Sequence, residues 1–120
     1  MQNRDIFSQI EKYQSFASDQ VIFREGESGK HLYIVAEGEV DILVGDQVLE
    51  TAGPGSIFGE IALIDDKPRS ATAIARTDCL LAPVGREHFL VLVQRTPLFA
   101  IQVMRAMANR LRHTTDKLRG

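Results

Sequence analysis

Phe58-Gly59-Glu60-Ile61-Ala62-Leu63, followed closely by Pro68-Arg69-Ser70-Ala71-Thr72, sets a carboxylate and a guanidinium nine positions apart. Arg69 stays charged and offers a planar fork of donors that fits two phosphate oxygens, where lysine would give only a point charge. Ionised Glu60 accepts hydrogen bonds and donates none, so it would repel a phosphate but suits a sugar hydroxyl. If residues 59–64 form a short helix, the amides of Glu60, Ile61 and Ala62 stand at its N-terminus, the favourable end for an anion. Gly59 lets the backbone approach closely. A ligand that needs both an anion partner and an acceptor for its hydroxyls is a sugar phosphate. Viewed singly, Arg69 is an ordinary surface arginine and Glu60 a solvated carboxylate; their joint placement carries the argument.

Other chemistries find little support. Gly26-Glu27-Ser28-Gly29-Lys30-His31 echoes a P-loop, but Arg24 stands where the first glycine is needed and His31 where a Ser or Thr would hold magnesium. Gly53-Pro54-Gly55 has the wrong interval to Gly59 for a dinucleotide fingerprint. His31, His88 and His113 are too scattered for a metal motif, and no base-activated nucleophile is evident, so the sequence predicts neither an enzyme nor a cofactor. Cys79 is the single cysteine; it excludes an intrachain disulfide and cannot alone hold an iron–sulfur cluster. Fourteen basic against sixteen acidic residues leave no basic excess of the kind that drives nucleic-acid binding. No segment approaches the ~18–20 apolar residues of a membrane span, and the N-terminus lacks a signal-peptide pattern. The expected setting is cytoplasmic.

The positioning elements follow from length and period. At 120 residues one domain over 1–120 is expected. Ile6, Ile10 and Tyr13 predict a helix over 3–14, within a helical segment 1–18. From 19 to 85 the pattern changes to short β-rich runs: 21–23, 32–36, 40–44, 48–51, 71–75 and 80–84, with Gly45-Asp46 as a turn. Many short strands imply a sandwich or jelly roll rather than a βαβ sheet. After Gly85 two helices are predicted, about 86–94 and 97–118, with Pro97 in the first turn of the second. Tyr33, Phe58 and Phe89 read as core. Ile101, Met104, Ala108, Leu111, Thr115 and Leu118 alternate spacings of three and four, a coiled-coil seam through which two copies could pair; packing on the chain's own β-domain is the equal alternative.

The segment F-G-E-I-A-L, the nine-residue step from Glu60 to Arg69 and P-R-S-A-T resemble the phosphate-binding cassette of cyclic-nucleotide-binding domains, found in bacterial catabolite activators, cyclic-nucleotide-dependent kinases and gated channels. Phe23 to Gly29 and Leu32 to Val40 are similar to that family's opening turn and paired strands, and the resemblance spans roughly residues 15–118. It implies a mainly β jelly roll with a short N-terminal helix, a cassette (58–72) containing a short helix, and two C-terminal helices (86–118). It also implies Glu60 on the ribose 2′-OH and Arg69 and Ser70 on the cyclic phosphate, with Gly59, Ile61 and Ala62 assisting. Ile42 and Leu49 would line an apolar wall. Arg110, Thr114 and Thr115 fall where catabolite activators face the nucleotide, and since a hydroxyl can serve adenine's amino group, cAMP is expected first and cGMP second. Thr114 and Thr115 could equally bond back to their own helix. The implied role is a sensor that relays occupancy through its C-terminal helices, with homodimerisation favoured by the resemblance. The alternatives are the sensory half of a transcription regulator, or a degenerate dimerisation module with an empty pocket.

Overall fold

The computed structural model describes residues 12–65 and 67–119. Eight strands form two antiparallel four-stranded sheets that face each other as a jelly roll. The first holds β1 (Gln14–Phe16), β8 (Cys79–Gly85), β3 (His31–Glu37) and β6 (Ile57–Phe58), in that order. The second holds β2 (Val21–Phe23), β7 (Thr72–Ala75), β4 (Val40–Val44) and β5 (Gln47–Ala52). Three helices complete the described chain: α1 (Ile61–Ile64), α2 (Arg86–Arg95) and α3 (Leu98–Arg119).

The two central strands of the first sheet show why their sequences are continuously apolar. β3 and β8 pair from His31↔Gly85 to Val35↔Leu81, and successive side chains of a strand point to opposite faces. Leu32, Ile34, Ala82 and Val84 pack with Leu63 of α1, Leu92 of α2 and Phe99 and Val103 of α3. Val35 and Leu81 turn to the second sheet and join Phe23, Val40, Ile42, Phe58, Ala73 and Ala75. Both faces of this central strand pair are thus buried, one by the other sheet and one by the helices.

The predicted strands appear within a residue or so of their expected bounds, and Gly45-Asp46 is the turn between β4 and β5. Two strands escaped the sequence reading, β1 and β6. Gln14 is the first residue of β1, paired with Leu81, so the predicted 3–14 helix does not reach its C-terminal end; residues 1–11 of that prediction lie outside the described residues. α2 begins after Gly85 without a side-chain cap, with Glu87 in its first turn and Arg95 in its last, charges that match the helix dipole. α3 starts at Leu98, directly after Pro97. Its inner face is Phe99 and Val103, both buried, while Ile101, Met104 and Leu111 are exposed.

Candidate functional site

Glu60 and Arg69 are the buried charged residues among those described, 2% and 6% exposed. Glu60 caps the N-terminal end of α1: its carbonyl accepts from the amides of Leu63 and Ile64, each at 3.1 Å. Gly59 precedes it with φ +78°, a conformation glycine alone adopts without strain. Arg69 is pinned through its main chain. Its amide donates to Glu27 O and its carbonyl accepts from the amide of Gly26, both at 2.8 Å, so the turn after β2 is the frame of the arginine. Its Nη1 donates to Gly59 O at 3.0 Å.

Around these two groups closes a narrow cavity of about 30 Å³, lined by Phe23, Ile42, Phe58, Gly59, Glu60, Ile61, Ala62, Arg69, Ser70, Ala71 and Arg110. That volume is room for one or two water molecules. The reason is Arg110, which reaches in from α3. Its Nη1 pairs with the Glu60 carboxylate, its Nη2 donates to Ile57 O at 2.6 Å, and its Nε lies 2.6 Å from Glu50 Oε1. This last contact is ionic, out of hydrogen-bond alignment. Arg110 also borders a second space of about 210 Å³ between α3, β5 and the turn before β6, lined by Glu50, Ser56, Gln102 and Arg105 among others.

Burial governs the titration of the site. Removal from water pushes the Glu60 carboxyl above its ordinary range, and the neighbouring Arg110 cation only partly offsets this. Burial likewise lowers Arg69 from its ordinary value, against the pull of Tyr33, Glu27 and Glu60. Arg69 Nε is buried with no hydrogen-bond partner among the described residues, an uncommon condition for a guanidinium. The site therefore presents one acceptor and one donor edge, both desolvated, on the two walls of one cavity.

The expected residues fall into two groups. Gly59, Glu60, Ile61, Ala62, Arg69, Ser70, Ile42 and Arg110 line the same cavity. Leu49 is half-buried on β5 but outside that lining. Thr114 and Thr115 also lie outside it, and their hydroxyls donate back to Arg110 O and Leu111 O, both at 3.0 Å, the local bonding that competes for hydroxyls on helices. Three contributors were not foreseen. Phe23 lies under the arginine. Glu50 shares Arg110 with Glu60. Arg86 donates from Nη2 to Leu63 O at 3.0 Å, tying the start of α2 to the end of α1. Phe23 and Glu50 sit at ordinary strand positions, and no spacing marks them.

A jelly roll with an acidic and a basic residue buried at a one-turn helix, and a long helix laid across them, defines a class of ligand-binding β-roll. The cyclic nucleotide-binding domain family matches residues 13–96, and the chain belongs to it. The chain is 42% identical over 102 residues to the cyclic AMP receptor protein of Thermus thermophilus, covering 81% of this chain and 47% of that protein. It is 47% identical over 70 residues to the cAMP-dependent protein kinase regulatory subunit of Eremothecium gossypii, covering 58% of this chain and 15% of that protein. The chain thus spans less than half the length of these relatives. Among solved structures, the catabolite activator protein of Thermus thermophilus superimposes with a TM-score of 0.78 at 35% identity, over 97% of this chain and 57% of that one.

Proposed function

We propose that the chain is a cyclic-nucleotide sensor, taking cAMP first and cGMP second, and that it transmits occupancy through α2 and α3. The observation that carries this reading is the pairing of chemistries in one cavity. Glu60 is acceptor-only and Arg69 donor-only, both are buried, and Arg69 Nε has no hydrogen-bond partner among the described residues. A ribose hydroxyl satisfies the first and a cyclic phosphate oxygen the second. Ser70, on the cavity wall beside Arg69, adds a hydroxyl for the phosphate.

Arg110 supplies the link to the rest of the molecule. It holds Glu60 and fills the space a nucleotide needs, and it borders the groove beyond. A ligand that takes Glu60 must displace or re-pair this guanidinium, and α3 moves with it. Ligand and helix position are coupled because the two arrangements of Arg110 bind nucleotide differently. Thr114 and Thr115, which bond to their own helix in this arrangement, come within the base's reach only if α3 shifts. The role is regulatory, with no catalytic step and no cofactor, and the setting is cytoplasmic. Among the described residues no helix is long and apolar enough to cross a membrane.

Homodimerisation through α3 has its own observation. Ile101, Met104, Ala108 and Leu111 all lie exposed on one side of the helix while the other side packs on the β-roll. Thr115 is half-buried, and the side chain of Leu118 lies outside those described. An apolar seam left open in the monomer is what a second copy would cover.

Thermal unfolding with cAMP, cGMP and 5′-AMP side by side tests the reading. Stabilisation by a cyclic nucleotide and none by 5′-AMP is the expected result. No shift with any of the three would point to a non-binding interaction module instead.

A further inference from the structure

We propose that Phe23, together with Gly29, forms a slot that fixes the plane of the Arg69 guanidinium, making Phe23 a positioning residue for the anion clamp. The slot is built from the chain's own residues; only its effect on nucleotide affinity rests on the sensor reading. Arg69 Cζ lies 4.0 Å above the centroid of the Phe23 ring, a close cation–π distance. Phe23 is itself immobilised by two further rings, Tyr33 at 6.2 Å and Phe58 at 5.9 Å between centroids. Gly29 stands directly against the same guanidinium. A Cβ placed there would stand 2.2 Å from Arg69 Nε and 2.5 Å from Nη2, so a side chain at 29 drives the guanidinium out of its present place.

Rotation within the plane is fixed as well, because Nη1 donates to Gly59 O and the main chain is held by Gly26 and Glu27. Nε is left without a hydrogen-bond partner among the described residues. A buried guanidinium has lost water from both of its faces, and the negative face of an aromatic ring replaces part of that solvation where an aliphatic side chain of equal bulk cannot. The order imposed before binding lowers the entropy lost when the phosphate arrives. Phe23 and Gly29 thus act through Arg69, on the opening turn and not in the cassette.

The test combines nuclear magnetic resonance of the arginine Nε–Hε groups with calorimetry on the full chain, using wild type, Phe23→Leu, Phe23→Tyr and Arg69→Lys, the last to assign the Arg69 signal. In ligand-free wild type and Phe23→Tyr the Arg69 Nε–Hε proton is expected upfield, in the ring's shielding zone, and in Phe23→Leu it returns to the solvent-exposed position. Affinity for the preferred cyclic nucleotide should fall about five- to tenfold in Phe23→Leu. On the Arg69→Lys background the Phe23→Leu loss should shrink to under about twofold, as expected for coupled partners. An unshifted wild-type resonance, or unchanged affinity in a folded Phe23→Leu, overturns the inference. Should Phe23→Leu not fold, Gly29→Ala takes its place, with an equal or larger loss expected and unchanged affinity decisive against the slot. A wild-type protein that takes no cyclic nucleotide overturns the sensor reading instead, while the resonance still judges the slot.

Discussion

Arg110 and Glu60, fifty positions apart in sequence, form an ion pair that joins α3 to the N-cap residue of the cassette helix. The Glu60 side chain is 2% exposed and that of Arg110 17%, so the pair lies mostly out of water. Arg110 also holds Glu50 and Ile57 O. One side chain of the long helix therefore bonds to β5, β6 and the cassette at once.

Removing one partner of such a pair leaves the other buried and uncompensated. Arg110→Met is expected to destabilise the protein by about 3 kcal/mol, read from urea unfolding at neutral pH. The double variant Arg110→Met/Glu60→Gln should recover a substantial part of that loss, because no buried charge remains. A single variant as stable as wild type would show that the pair contributes nothing.

The raised carboxyl of Glu60 gives a pH dependence with a definite sign. A group that binds its proton more readily in the folded state adds stability as the pH falls through its raised pKa, and that gain is complete below the ordinary carboxylate range. The stability of wild type relative to Glu60→Gln should therefore increase on going from pH 7 towards the acid side. Comparing the two proteins cancels most of the contribution of the other carboxylates. A difference independent of pH, or one that shrinks with acid, contradicts the assigned burial effect.

Much of this architecture was legible in the sequence. β3 and β8 announce themselves as apolar runs because both their faces are covered, and Gly45-Asp46 marks its hairpin by turn chemistry. β1 and β6 were missed for a physical reason: three and two residues long, they show no period and become strands only through their pairing with β8 and β3. At the site, Glu60 and Arg69 were visible because the glycine turn and the helix between them are local. Glu50, Phe23 and Arg86 were not, since their partners lie 60, 46 and 23 positions away along the chain. Only the folded topology brings such pairs together.

Arg86 offers a test of the tie between α2 and the cassette. Its bond to Leu63 O occupies a carbonyl at the C-terminal end of α1, where a one-turn helix has few other restraints. Arg86→Ala should cost at most about 1.5 kcal/mol globally but speed amide hydrogen exchange at Leu63, Ile64 and Asp65, whose N–H groups close the turn. Exchange unchanged at these three amides would remove Arg86 from the coupling route.

The open seam of α3 predicts a quaternary state. Leu111 is 70% exposed and Met104 54%, so replacing either with Glu leaves the buried core untouched. Wild type should sediment as a dimer, and Met104→Glu/Leu111→Glu as a monomer with unaltered circular dichroism. A monomeric wild type at tens of micromolar would remove the seam from the account.

Calorimetric titration of cAMP into wild type and Arg69→Ala tests the central claim most directly. The account predicts micromolar binding by wild type, given a ligand of roughly twenty heavy atoms. It predicts at least about tenfold weaker binding in the variant, from loss of charge-assisted bonds worth ~1.5–3 kcal/mol. Equal affinity in the two proteins, or no heat with wild type for cAMP or cGMP, would contradict it.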